Sequence, residues 1–341
     1  MRHLVFQEAG RVAWESVPDP VADAGGALVR PLAVARCDLD PIMAGFGIFP
    51  GPFPVGHEVV GEIVSVGDGV RNRSPGEIVL VPFQVSCGGC DRCRSARYAA
   101  CRTHRAKAGA AFGFGADGGG HGGGVADLLH VPHADHMLVP APAGVDLVRL
   151  AMLPDNSLDA YRAVGPQLAH DPGADVLIVG GAAPSIGLYA AALAVSLGAG
   201  RVRYVDRDDA RCRCAEQVGA EVTKLEGSWP RRFERAGITV ENSGEPEGLE
   251  CTIRSTDDYG TCTTVAIHFA QSTAVPLLAM YTHGITLNVA RADSLLHLET
   301  LIRLTASGRF DPCCVGPDVV PLDDAAEAWL EPATKLVLTR A

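Results

Sequence analysis

The apolar positions of this chain fall into two textures, and the change comes near residue 155. Before it, apolar residues gather in short valine-rich runs such as ALVRPLAVA, VVGEIVSVG and EIVLVPF, separated by turn-forming residues. Runs of that length predict strands, so residues 1 to about 153 read as a β-rich, barrel-like domain. After it the period lengthens. PDNSLDAYRAVGPQLA predicts a helix, DVLIVGG a buried strand, SIGLYAAALAVSLGA a second helix, RVRYVD another strand and DDARCRCAEQVGA a third helix. Strands alternating with helices predict a parallel, doubly wound sheet, which makes the fold class α/β. The alternation fades near 290, where SLLHLETLIRLTASGRF predicts one more helix before a β-type tail. No internal repeat is visible. The stretch GFGADGGGHGGG, Gly113 to Gly124, predicts a flexible loop over the barrel.

Length and charge narrow the picture. A chain of 341 residues exceeds the size at which one core keeps growing, so two domains are expected. Its 29 basic and 40 acidic residues give −11, which argues against nucleic acid or an anionic membrane as a partner. The N-terminal MRHLVFQEAGRVAWESVPDP lacks the apolar core of a signal peptide, and no uncharged apolar run is long enough to span a bilayer. The expected setting is the cytoplasm, where eleven cysteines read as reduced thiols and metal ligands.

Four of those cysteines carry the strongest chemical signal. Cys87, Cys90, Cys93 and Cys101 follow C-x2-C-x2-C-x7-C, a spacing that lets short loops wrap one tetrahedral zinc. Gly88 and Gly89 supply the tight turn between the first pair. Disulfides are the competing reading, but nothing else in the chain looks secreted. Four thiolates leave no open coordination position, so this zinc is expected to be structural.

A second signal lies in the α/β half. Gly180 and Gly181 let the chain turn after DVLIVGG, and Gly187 lets the following helix approach the sheet; Ser185 and Ile186 stand in the same turn. The helix start then offers N–H groups and a positive dipole end to a pyrophosphate. Asp206 closes the next strand, where a carboxylate accepts hydrogen bonds from both ribose hydroxyls of NAD and repels the 2′-phosphate of NADP. NAD(H) is therefore expected over NADP(H). Arg207 favours the phosphate, whereas Asp208 and Asp209 oppose it. The turn G-G-A-A-P-S-I-G is longer than G-x-G-x-x-G, and a purely structural turn is the alternative.

Cys37 in ARCDLD, His57 and Glu58 in VGHEVVGEIVSVG, and Asp155 in LPDNSLDAY each have a bland reading as buried thiol, core histidine or loop acid. Together with the cysteine knuckle, the Gly56-His57-Glu58 run with Gly61, and the glycine turn ending at Asp206, they resemble the zinc-dependent medium-chain alcohol dehydrogenases over nearly the whole chain. Aspartate at 155, with GGGVADLLHVPHADHMLVP upstream, is similar to the branch holding bacterial secondary-alcohol and glutathione-independent formaldehyde dehydrogenases. The resemblance implies a GroES-like catalytic domain (1–153, with a structural-zinc lobe at about 85–105), a Rossmann NAD domain (154–291), and a return to the catalytic domain (292–341), with the active site in the cleft. It implies a catalytic zinc on Cys37, His57 and Asp155 with Glu58 as exchangeable fourth ligand, hence two zinc ions per chain. It further implies a small alcohol or carbonyl substrate, hydride exchange with NAD(H), and a homodimer or homotetramer.

The departures concentrate on the proton path. Leu39 stands where the family has a serine or threonine, and Ile42 where relatives often carry a relay histidine. Asp159, or else Asp38, is the expected substitute acid/base, with helix capping or solvent exposure the plain alternative for Asp159. The missing relay keeps other readings open: a reductase of an unsaturated or imine substrate, a polyol or sugar dehydrogenase, or a non-catalytic zinc- and NAD-binding relative. Cys212, Cys214, Cys313 and Cys314 are expected to be inert, and His121, His130, His133 and His136 to serve surface or packing roles. Phe46, Phe49 and Phe53 either line an apolar pocket or pack the barrel.

Overall fold

Valine-rich runs interrupted by turns build the first of two compact units. The computed structural model of the chain describes residues 1–46 and 50–340, with the backbone alone at 44–46. The first unit comprises Met1–Leu158, Asp293–Ser307 and Pro317–Ala341, the second Asp159–Ala292 and Gly308–Gly316. The division therefore falls inside the helix Asn156–His170, not ahead of it as expected. Gly308–Gly316 also departs from the expected return after 292. Its turn Pro312–Val315 packs on the helices Pro184–Ser196 and Asp209–Gln217 of the second unit.

In the first unit a sheet runs in the order Asp318–Pro321, Leu336–Thr339, Ala27–Ala35, Glu58–Val66, Ile78–Val81, Val139–Pro140, with Leu129–Val131 also paired to Ala27–Ala35. A smaller sheet joins Arg11–Ser16, Arg2–Glu8 and Phe53–Pro54. Pro31 sits in a central strand, where a proline normally breaks the ladder. The register shifts between Pro31 and Ala33, and this bulge absorbs its missing N–H. Leu4, Val29, Val59, Phe112 and Trp329 are among the residues of one buried core. Arg36 is buried too. Its guanidinium donates to the carbonyls of Trp329, Glu331 and Ala333, fastening the C-terminal segment beside residue 36.

The second unit carries a six-stranded, all-parallel sheet in the order Glu221–Lys224, Val202–Asp206, Val176–Val179, Ala236–Glu241, Thr256–Thr264, Thr286–Val289. Val176–Val179 is apolar at every position because helices cover both faces of such a sheet. Strand order reverses between Val176–Val179 and Ala236–Glu241, and ligands of open α/β sheets bind at the carboxyl ends flanking that switch. No helix among the described residues is long and apolar enough to cross a membrane.

The glycine-rich stretch differs from expectation. It is a closed, hydrogen-bonded loop: Gly113 N donates to Gly122 O at 2.7 Å, and Gly124 N to Gly56 O at 2.7 Å. A Cβ added at Gly123 would lie 2.4 Å from Val55 O. Gly115, Gly118, Gly123 and Gly124 serve close approach, and Gly120 and Gly122 supply positive φ.

Candidate metal and dinucleotide sites

Register brings the first set of candidate ligands together. Ala35 pairs with Glu58 and Val337 with Ala35, so Cys37, His57, Glu58 and Lys335 all emerge at one end of three neighbouring strands. The helix Leu147–Ala151 packs on the same strands, and the turn after it delivers Asp155. One ligand atom each from Cys37, His57 and Asp155 lies within 4.8 Å of the others, and all three residues are buried. His57 Nε2 stands 3.3 Å from Asp155 Oδ2.

The electrostatics of this cluster call for a cation. Burial pushes the Cys37 thiol well above its ordinary value, and Asp155 adds to the effect. Burial works against Asp155 as well, yet its hydrogen bond with His57 holds its carboxyl below the ordinary value. Burial alone would depress His57, but Asp40 and Asp155 raise it to about 9. A divalent ion would take the place of that proton and bring the thiol down. Glu58 and Lys335, both 0% exposed, form an ion pair of 2.5 Å. Burial nevertheless lifts the Glu58 carboxyl to about 8, with Lys335 opposing. Among the described residues Glu58 Oε2 has no hydrogen-bond partner and remains available to a metal.

Three polar residues around the cluster escaped the sequence reading. Asp40 accepts from Cys37 N at 2.9 Å and lies 3.6 Å from His57 Nδ1, within ion-pair but not hydrogen-bond distance. Asn156 donates to Cys37 Sγ at 3.7 Å and accepts from Lys335 Nζ at 2.6 Å. Asp40 is visible in ARCDLD as an acid three residues after the cysteine. Lys335 gives no local signal, because only strand pairing joins it to Glu58 across 277 residues. The aromatic neighbours of His57 are Phe83 and Phe114, with ring centroids at 5.5 and 5.2 Å. Phe53 instead packs on Phe6 in the barrel; Phe49 and the side chain of Phe46 lie outside the described residues.

Cys87, Cys90, Cys93 and Cys101 converge on a second point, and none is disulfide-bonded. Their Sγ separations are 4.0 Å (Cys87–Cys93), 3.5 Å (Cys90–Cys93) and 4.0 Å (Cys90–Cys101). A tetrahedron of Zn–S bonds has edges of about 3.8 Å, so the set fits zinc. Backbone N–H groups, that of Arg102 first, pull Cys90 down to about 6, whereas burial pushes Cys93 up to about 12. Gly88 adopts φ +69, and a Cβ there would meet the His136 ring at 2.8 Å.

In the second unit, Val205 pairs with Val179, which sets Asp206 beside Gly180. Gly181 has φ +153, and a Cβ on it would lie 2.9 Å from Ser243 Cα; one on Gly187 would lie 2.8 Å from Asn242 Nδ2. Asn242 bonds both the N–H and the carbonyl of Ala183, closing the turn that holds Gly180, Gly181, Ser185, Ile186 and Gly187. No side chain caps the helix that follows, Pro184–Ser196. This cradle fits a pyrophosphate. Asp206 differs from expectation: it is 1% exposed, with both oxygens already bonded within the protein.

Asp159 also differs. It is buried and does not face solvent; its Oδ1 accepts from Arg162 Nε at 2.6 Å, and Arg162 Nη2 donates to Thr264 O. Asp38 is half-buried beside the cluster. Four histidines pack on their surroundings: His104 meets His133 at 2.8 Å and the His121 ring at 5.5 Å, and His136 meets Ser86 Oγ at 2.8 Å. Cys314 is pushed up by burial, and Cys212 lies against Asp206 O.

Comparison with known proteins identifies what the whole chain is similar to. The profile of the Alcohol dehydrogenase GroES-like domain matches residues 23–143. A Mycobacterium tuberculosis protein named as a probable zinc-binding alcohol dehydrogenase is 30% identical over 96% of this chain and 84% of that protein. The glutathione-independent formaldehyde dehydrogenase of Pseudomonas aeruginosa is 32% identical over 74% of this chain, which spans 64% of that enzyme's length. The alcohol dehydrogenase TADH from Thermus sp. ATN1 superposes with TM-score 0.91 at 27% identity, covering 100% of both chains.

Proposed function

Because the chain belongs to the zinc-type medium-chain alcohol dehydrogenase family, we propose that it interconverts an alcohol and an aldehyde or ketone, using two zinc ions and a nicotinamide dinucleotide. The observation that carries this reading is the buried convergence of Cys37, His57 and Asp155 beside the unspent Glu58 Oε2. Three protein ligands leave a position open to substrate, as a catalytic site requires and a four-thiolate site forbids. When bound, zinc supplies Lewis acidity toward the substrate oxygen and the dinucleotide supplies hydride exchange.

The chain's own residues then have separable tasks. Cys37, His57 and Asp155 hold the metal, and Glu58 stands by as an exchangeable ligand. Asp40 places a negative charge beside the His57 ring, while Lys335 and Asn156 restrain the Glu58 carboxyl and the Cys37 sulfur. Phe83 and Phe114 keep water from the imidazole. Cys87, Cys90, Cys93 and Cys101 hold the structural zinc, which requires reduced thiols and so a reducing compartment such as the cytoplasm. The glycine turn and the helix start at Pro184 receive the pyrophosphate. Asp159 is an ion-pairing residue in this reading, not a proton carrier, since its short contact with Arg162 competes with any proton. The expected preference for NAD(H) rested on a free Asp206 and loses that support here.

The test pairs metal analysis with a panel of primary alcohols, secondary alcohols and formaldehyde, each with NAD and NADP. Wild type is expected to hold two zinc ions and to reduce the cofactor with some member of the panel. Cys37→Ala is expected to hold one zinc and to turn over none. Full turnover by Cys37→Ala would remove the catalytic-zinc reading.

A further inference from the structure

Asp206 is the residue that a dinucleotide site of this kind presents to the adenosine ribose, yet here its carboxylate is closed off. Oδ1 accepts from Arg207 N at 2.7 Å, Asp208 N at 3.0 Å and Arg211 Nη2 at 2.7 Å. Oδ2 accepts from Tyr204 Oη at 2.7 Å and Arg211 Nε at 2.8 Å. Two carboxylate oxygens offer about four lone-pair sites, and five donors fill them. The carboxylate also lies under the phosphate turn and not beyond it, since a Cβ on Gly180 would come within 2.3 Å of Oδ2. Freeing it for a ribose diol means breaking a forked guanidinium contact, the strongest geometry such a pair has.

The neighbouring acids are engaged as well. Asp208 caps its helix by accepting from Arg211 N at 2.9 Å, and Asp209 pairs with Lys224 Nζ at 2.6 Å. The exposed group next to Asp206 is Arg207, with 40% of its side chain open. Its guanidinium lies over the Trp229 ring at 5.0 Å and donates to Gly227 O at 2.6 Å, with Glu245 no nearer than 4.0 Å. A stacked guanidinium held this way keeps N–H donors for a phosphate.

We propose that Arg211 withdraws Asp206 from cofactor recognition and that Arg207 meets the ribose 2′-position, so that the site accepts a 2′-phosphate as readily as a hydroxyl. The inference rests on the dinucleotide reading of the glycine turn. It makes Arg211 a positioning residue and Arg207 the specificity-determining one.

Calorimetric titration of the whole protein with 5′-AMP and with 2′,5′-ADP tests it without turnover. Wild type is expected to bind the two within about tenfold of each other, whereas a free acid at this position separates them further through like-charge repulsion. Arg211→Met leaves Asp206 three donors, so the fold should hold, which thermal melting checks. The released carboxylate should then shift the ratio at least about tenfold toward 5′-AMP. Arg207→Met should weaken 2′,5′-ADP alone. A wild-type protein that excludes 2′,5′-ADP beyond that range, or a ratio unmoved by Arg211→Met, overturns the proposal. Failure of the wild type to bind either nucleotide overturns the dinucleotide reading beneath it.

Discussion

Lys335 shows most sharply how much one side chain can decide at the residue scale. It is wholly buried, paired to Glu58 and hydrogen-bonded to Asn156. Removing one partner of a buried ion pair strands the other, at a cost of about 3–5 kcal/mol. Urea unfolding of Lys335→Met is expected to show a loss of that size, partly restored in the double variant with Glu58→Gln. A single variant as stable as wild type would mean that Glu58 is neutralised by other means. Residue-scale chemistry was legible where it sat in a local motif. Cys37, His57 with Glu58, Asp155 and the four knuckle cysteines were all readable from spacing and resemblance. Lys335 was not, because its only link to the site is strand pairing. The ion pair of Asp159 was not legible for a related reason: Arg162 lies one turn along the same helix, but its choice of partner depends on the Thr264 carbonyl of a distant strand.

Between residues and the whole stand the elements, and here the carboxyl ends of two parallel strands carry a pH-sensitive tie. Glu241, at the end of Ala236–Glu241, accepts from Ser243, Thr264 Oγ1 and, at 3.1 Å, His268 Nε2. The hydrogen bond to Glu241 raises His268 above its ordinary 6.5. Burial works against Glu241, but His268 and Ser243 hold it below its ordinary 4.5. A raised histidine contributes stability in full below 6.5 and loses it as pH climbs through the folded value; a depressed glutamate contributes above 4.5 and loses it as pH falls through its own. The stability gap between wild type and His268→Asn should therefore be widest between those values and shrink as pH rises through the raised His268 value. A gap that grows with pH contradicts the pairing. The zinc lobe makes a second element-scale prediction. Its helix and turns are too short to hold themselves, so the metal's binding energy is their folding energy. Chelation should open Arg92, Arg94, Arg97 and Arg102 to trypsin while cleavage elsewhere stays slow, as peptide mass mapping would show. Strands and helices of this chain were readable from period alone, including Val176–Val179 and Val202–Asp206. The glycine-rich loop was not, because composition reports backbone freedom and stays silent on the contacts that use it.

At the scale of the whole molecule the open question is what covers the edge of the parallel sheet. Thr286–Val289 is its last strand and has no further strand partner among the described residues. An unpaired edge invites another chain, and proteins that leave one open usually guard it with charge or proline. This one is guarded by neither: TLNV carries no charge, and Val289 is 68% exposed. Beside it the helix Leu277–His283 turns Leu277, Leu278 and Tyr281 to solvent, and Tyr259 packs its ring at Gly284 where that helix ends. Exposed apolar side chains beside an unguarded edge strand are the features an interaction surface presents. The homodimer or homotetramer that the family resemblance implies would seat a second copy of the chain here, since a two-fold axis beside an edge strand pairs that strand with itself and matches apolar helix to apolar helix. Such an assembly should then appear in sedimentation equilibrium of the wild type. Leu278→Asp with Tyr281→Asp places four like charges across such an axis and should yield monomers with an unchanged zinc content, because neither residue lies in the unit that holds the metal ligands. A wild type that sediments as a monomer, or a double variant that still assembles, would move the interface away from this edge.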